Sequence, residues 1–267
     1  MTIAVRYSLF FICALQVFLA LACFLRLQFA VDLWVFPGST PLTFIVIAAF
    51  FAAAAASTLW AATSENYGGL AGIGLDYVGS MLPIGVLALQ KGSNSNSPAF
   101  TIFGLACVFG ASFGIGMLVW SIRGPLNSTV PLPSVVRWSF VLFTTALLLV
   151  SVLLLFQVPN TLPWVITPDL SLVFGAMFFG SALYFAYGLL RPCWANAAGQ
   201  LAGFLAYDVI LIVPLLLRWP TTPPGFELSM NLYIAVVTYS GLLAMYYLFI
   251  HPPTRLWGKG LRSAPVS

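Results

Sequence analysis

The sequence predicts an all-α polytopic membrane protein: eight transmembrane helices arranged as two parallel tandem four-helix repeats. Three observations carry this. Of the 267 residues, 61% are hydrophobic and 6% charged, with a mean hydropathy of +1.03. A water-soluble domain carries about 25% charge, so this chain cannot cover a water-facing surface. Second, apolar segments of membrane-spanning length follow one another along the whole chain. Third, short motifs recur in the same order roughly 130 residues apart.

A span needs roughly 20 mostly apolar residues to cross the hydrocarbon core. Segments of that size fall at 7–29, 42–63, 68–90, 98–122, 136–158, 169–190, 197–217 and 229–250, separated by polar or Pro/Gly-rich stretches. The first resembles a signal peptide, because Arg6 precedes an apolar run and Ala20-Leu21-Ala22-Cys23 hints at a processing site. The run extends to Phe29 and has a repeat partner at 136–158, so it reads as a retained helix. The second and sixth spans open with Thr-Pro (Thr40-Pro41, Thr167-Pro168). Threonine caps free backbone N–H groups there, and proline fits the first helical position.

The repetition is read from matched blocks. Val5-Arg6-Tyr7-Ser8 returns as Val136-Arg137-Trp138-Ser139, Trp34-Val35 as Trp164-Val165, and Ala48-x-Phe50-Phe51 as Ala176-x-Phe178-Phe179. The longest block is Gly68-x-Leu70-Ala71-Gly72 with Val78 and Pro83, which returns as Gly199-x-Leu201-Ala202-Gly203 with Val209 and Pro214. Four spans per copy is an even number, so both copies enter the bilayer from one side and are parallel rather than inverted. Expected units are 1–123, a linker at 124–134, a second repeat at 135–251, and a basic cytoplasmic tail at 252–267. This plan matches neither the six-plus-six nor the three-plus-three design of parallel-repeat transporters, so no family's residues are carried over.

The positive-inside bias orients the chain. Arg6, Arg123, Arg137, Arg191, Arg255, Lys259 and Arg262 fall on one side, against Arg26, Lys91 and Arg218 on the other. Both termini are therefore expected in the cytoplasm, with the protein integral to a bacterial cytoplasmic membrane. Trp34, Trp164 and Trp219 then mark the outer interface, and Trp60, Trp120, Trp138, Trp194 and Trp257 the inner one. The net charge of +4 suits anionic lipid headgroups, and no basic stripe suggests nucleic acid.

Of the six acids, Asp32, Glu65, Asp169 and Glu227 lie at helix ends or in loops. Asp76 and Asp208 lie about 12 Å and about 16 Å into their spans at 1.5 Å per residue, near the middle of the bilayer. A carboxylate there costs roughly 2.5–3.5 kcal/mol on insertion scales and must face protein or water. They occupy matching spans beside Tyr77 and Tyr207, but in the orders Asp-Tyr and Tyr-Asp, about 100° apart around their helices. Together the four residues form the candidate site for an ion, a proton or a substrate. The competing reading makes Asp76 and Asp208 protonated structural acids.

Gly110-Ala111-Ser112-Phe113-Gly114 matches the serine-hydrolase pattern, but lies within an apolar helix instead of a strand-to-helix turn. The single histidine, His251, ends the last span. Gly110 and Gly114, like Gly68, Gly72, Gly199 and Gly203, are therefore assigned to helix packing. Pro83 and Pro214 are assigned to helix kinks. Cys13, Cys23, Cys107 and Cys193 have no metal spacing and read as small apolar residues. Asn127-Ser128-Thr129 fits a glycosylation sequon on the side where it would not be used. No enzyme is expected from so few catalytic residue types, and no cofactor is named.

Two readings of function stand ahead of a third, an intramembrane enzyme acting on lipid, which the single histidine and the lack of a His/Glu cluster disfavour. One is a carrier of a small molecule or ion, with its path between the repeats and Asp76 and Asp208 as its ionisable elements. The other is a non-catalytic membrane subunit or scaffold that binds lipid or pigment within a larger complex. Membrane lipids are partners in both, and other membrane subunits in the second. A cavity reaching either aspartate separates them.

Overall fold

The computed structural model describes residues 3–38, 40–124, 126 and 130–256. The described residues form an all-helical integral membrane protein, with eight helices long and apolar enough to span a bilayer. In chain order the helices are α1 (Ile3–Phe24), α2 (Gln28–Leu33), α3 (Pro41–Ser64), α4 (Leu70–Ser95), α5 (Pro98–Ser121), α6 (Ser134–Leu155), α7 (Pro168–Leu190), α8 (Trp194–Arg218) and α9 (Glu227–Met245). One π-helical turn, Tyr246–Ile250, extends α9. The sequon Asn127-Ser128-Thr129, Trp257, Lys259 and Arg262 lie outside the described residues.

The boundaries differ from the sequence reading where polar groups find partners. The first span stops at Phe24, because Arg26 adopts φ 50 and the chain re-enters a short helix, α2. Gln28 donates to Asp32 at 2.8 Å on that helix, an i, i+4 pair whose polar side chains suit a membrane surface better than its interior. Helix α4 runs on to Ser95, past the expected loop at Lys91, and ends at Asn96 in the left-handed conformation. Lys91 forms an ion pair with Asp169 at 2.8 Å, which fixes this extension to the start of α7.

The two Thr-Pro starts diverge. Thr167 caps α7 by accepting from the Leu170 N–H at 3.2 Å. Thr40 makes no side-chain cap, because its own carbonyl takes the Thr43 N–H at 3.1 Å.

The extensive helix pairings are α1 with α3, α4 with α5, α6 with α7, and α8 with α9, joined across the centre by α4 with α7 and α3 with α8. Close contacts define the two ends of the bundle. At one end Arg6 meets Glu65 at 3.0 Å, Arg191 donates to the Ile122 carbonyl at 3.0 Å, and Trp194 N–H donates to Val130 at 3.3 Å. At the other, Lys91 holds Asp169, Trp34 packs on Phe103 and Trp164 on Tyr233. Residues 3 and 256 lie at the first of these ends.

Two of the expected belt tryptophans belong to the core instead. Trp164 and Trp194 are each 2% exposed, while Trp120, Trp138 and Trp219 are half or more exposed. Trp164 packs against Phe174 and Trp194 against Tyr247. Spacing along the chain places a tryptophan at a depth; only packing decides whether its ring turns to lipid or inward.

Candidate functional site

Asp76 and Asp208 line the same cavity, about 520 Å³ in volume. Helix α4 supplies Asp76 from its second turn, and α8 supplies Asp208 from near its middle. Helix α3 contributes Phe50, Ala53 and Ser57, and the rest of the wall comes mainly from α6, α7, α8 and α9. The cavity thus lies within the second half of the chain, closed on one side by α3 and α4. It extends to residues 158–163 and to Gly225 and Leu228, at the end away from residues 3 and 256. Its surface is mostly hydrocarbon and aromatic, with polar groups at isolated points.

The two carboxyl groups differ in their surroundings. Asp76 Oδ1 accepts from Ser80 Oγ at 3.1 Å, one turn along the same helix. Asp208 is 4% exposed, and neither of its carboxyl oxygens has a hydrogen-bond partner among the described residues. The nearby Ser240 hydroxyl donates to the Val236 carbonyl at 2.8 Å instead. Helix α9 approaches Asp208 at Gly241, where a Cβ would stand 3.4 Å from Oδ2.

The two tyrosines separate. Tyr207 lines the cavity, packs its ring on Phe50 and shares a short hydroxyl–hydroxyl contact with Tyr233. Tyr77 does not line it. It accepts from Gln16 Nε2 at 2.5 Å and packs over Phe113. Successive helical residues point about 100° apart; on α4 that next direction is occupied by α1 and α5, whereas on α8 it meets the glycine of α9.

Sequence reasoning missed Ser57, Tyr184, Gln200 and Tyr233. Gln200 carried a signal, being an uncharged polar residue within the matched glycine block. The others had none, since serines and tyrosines are common in apolar helices.

At the end near residues 3 and 256, polar side chains tie the central helices together. Tyr187 donates to the Gly68 carbonyl at 2.9 Å, and Ser57 to the Gly199 carbonyl at 3.1 Å. Gln200 donates to the Tyr184 carbonyl at 2.5 Å, and Trp60 to the Ala195 carbonyl at 3.3 Å.

The six glycines meet neighbours closely. A Cβ would stand 2.7 Å from Tyr184 at Gly72, 2.7 Å from Tyr77 at Gly114, 2.8 Å from the Gly124 carbonyl at Gly68 and 3.0 Å from Trp60 at Gly199. At Gly203 it would meet Ser57 at 2.5 Å, and at Gly110 it would strike the Met81 sulfur. Helices α4 and α8 continue through Pro83 and Pro214. Proline leaves the carbonyl four residues earlier without its helical donor, here those of Gly79 and Ile210.

Ser112 is exposed and donates back to the Val108 carbonyl at 2.9 Å. His251 lies beyond the last helix, where Nδ1 contacts Thr254 Oγ1 at 2.9 Å. Among the described residues, no three of His, Cys, Asp and Glu converge as a ligand set. No family model, curated protein or solved structure matches the chain.

Proposed function

We propose that the protein is a non-enzymatic membrane carrier of a small molecule, with Asp76 and Asp208 on the wall of its path. The single observation that carries this reading is the cavity that reaches both intramembrane aspartates. A buried carboxyl in a purely structural role would be hydrogen-bonded, whereas Asp208 stands in the cavity wall with neither of its buried oxygens hydrogen-bonded among the described residues. A volume of about 520 Å³ falls within the range of small-molecule sites.

The carrier is built as two parallel four-helix repeats. Exchanging the first four spans (α1, α3, α4, α5) with the second four (α6, α7, α8, α9) maps the central pairing α4·α7 onto α8·α3, and the outer pairs onto one another. Local contacts follow the same exchange. Gly72 packs on Tyr184 and Gly203 on Ser57; Tyr77 packs on Gly114 and Asp208 on Gly241. The copies differ in tightness. Gly74 packs on the Gly114 carbonyl and draws α5 onto α4, whereas Leu205 stands at the position matching Gly74. Helix α9 packs on α8 less extensively than α5 packs on α4, and the cavity that reaches both aspartates is lined mainly by the second copy.

Both termini are assigned to the cytoplasmic side of the membrane. At that end Arg6, Arg123, Arg137, Arg191 and Arg255 face Arg26, Lys91 and Arg218 at the other, and Lys91 is neutralised by Asp169. The described conformation is then open outward and closed inward, with the hydrogen bonds of Tyr187, Ser57, Gln200 and Trp60 as the closed gate. Release inward requires these bonds to exchange for water.

Single cysteines at Ser229 and Ser240, in a background with Cys13, Cys23, Cys107 and Cys193 replaced by alanine, test the path. A membrane-impermeant thiol reagent added outside should modify both, Ser229→Cys faster. Failure of Ser240→Cys to react from either side means a sealed core, and the subunit reading replaces the carrier.

A further inference from the structure

We propose that the ligand is an amphipathic organic cation: an apolar, ring-sized body carrying one protonated nitrogen, seated with that nitrogen on the Asp208 carboxylate. The inference rests on the cavity being a ligand site, and it names the chemistry that fills it.

Asp208 is 4% exposed and neither carboxyl oxygen accepts a hydrogen bond. Ser240 turns its hydroxyl to the Val236 carbonyl, and of the paired Tyr207 and Tyr233 hydroxyls one donates to the other. Among the described residues, no lysine, arginine or histidine lines the cavity, although two aspartates do. An unpaired carboxylate in a low-dielectric interior is strongly disfavoured. A cation brought in by the ligand removes that penalty and supplies the absent donor.

The walls exclude a bare metal ion as the natural occupant. A hard cation needs about six oxygen ligands at close range, and the cavity offers its oxygens singly across a mostly apolar surface. Its volume of about 520 Å³ exceeds what one ion fills. Around Asp208 the wall carries the rings of Phe50, Phe204, Tyr207 and Tyr233. Aromatic faces attract organic ammonium groups through the ring quadrupole and also cover a hydrocarbon body. One end of the ligand is thus specified by charge and the remainder by shape.

A matched series tests this on the full-length protein in lipid nanodiscs at neutral pH: naphthylmethylamine, naphthylmethanol and naphthoate, titrated calorimetrically. The amine should bind at least about tenfold tighter than the alcohol, and naphthoate weakest, since close buried charge pairs couple by well over that factor. Asp208→Asn should bring the amine-to-alcohol ratio near one while the alcohol's affinity stays within about twofold; Asp208→Glu should keep the preference. If Asp208→Asn fails to fold, Gly241→Ser serves instead. Its hydroxyl reaches the carboxylate from α9 and should weaken the amine about tenfold relative to the alcohol. Binding of all three probes without an amine preference, or an amine preference that survives loss of the carboxylate, overturns the cation and leaves the carrier reading standing. No binding by any probe overturns both.

Discussion

Gly180 is where α7 meets Asp76 of α4: a Cβ on this glycine would stand 2.5 Å from both the Asp76 carbonyl oxygen and its Oδ1. The backbone of α7 lies so near α4 here that Gly79 would also meet the Gly180 Cα, at 2.9 Å. This crossing joins the two halves of the chain and sets one side of the cavity. Gly180→Ala should therefore destabilise the protein by about 1–3 kcal/mol through overpacking, read as a lower midpoint of thermal unfolding in detergent. An unchanged midpoint would show that α4 and α7 are less tightly held than these distances require.

The two aspartates should part stability from function. Asp76→Asn and Asp208→Asn preserve shape and lower the cost of burying charge, so each should keep unfolding within about 1 kcal/mol of the parent. Ligand uptake into proteoliposomes should fall by an order of magnitude or more in Asp208→Asn. Uptake unchanged in both variants would leave the cavity with no ionisable role.

Tyr187→Phe removes the donor to the Gly68 carbonyl without altering the ring. It should cost about 0.5–1.5 kcal/mol, the net worth of one hydrogen bond, and should loosen the proposed inner gate. Cysteine placed at Gln200 should then react faster with a thiol reagent applied from the inner side. Equal rates in the parent and in Tyr187→Phe would remove this bond from the gate.

The topology predicts which loops share a face. Cysteines in 91–97 and in 220–225 should both label from the side opposite residue 3. Labelling of either loop from the same side as residue 3 would change the number of spans by at least one.

The ion pair of Lys91 with Asp169 is one-third exposed on both partners, so Lys91→Ala should cost at most about 1 kcal/mol, and less at high salt. A larger loss, measured by thermal unfolding, would mean that the pair also anchors the helical extension past Lys91.

How much could be read in advance followed from the range of the forces involved. Eight spans were legible because crossing hydrocarbon imposes a length and a polarity on each local segment, and their boundaries lie within a few residues of α3, α5, α7 and the others. The helix that carries each acid was legible for the same reason, although α4 runs on to Ser95 and leaves Asp76 in its second turn while Asp208 lies near the middle of α8. Direction around the helix was not. Tyr77 turns to Gln16 and Tyr207 to the cavity, although both stand next to an aspartate. Trp164 and Trp194 turn inward where their positions suggested lipid. Only Thr167 of the two Thr-Pro threonines caps its helix. By itself the sequence determined an integral membrane protein with eight helices long and apolar enough to span, and which two of them carry an acid. The tertiary structure alone decided that those acids share one cavity, that Asp208 has no partner there, and that the space opens in the second half. These are distances between helices, set by close approaches such as those at Gly180 and Gly241 between elements far apart in the chain, and no local pattern records them.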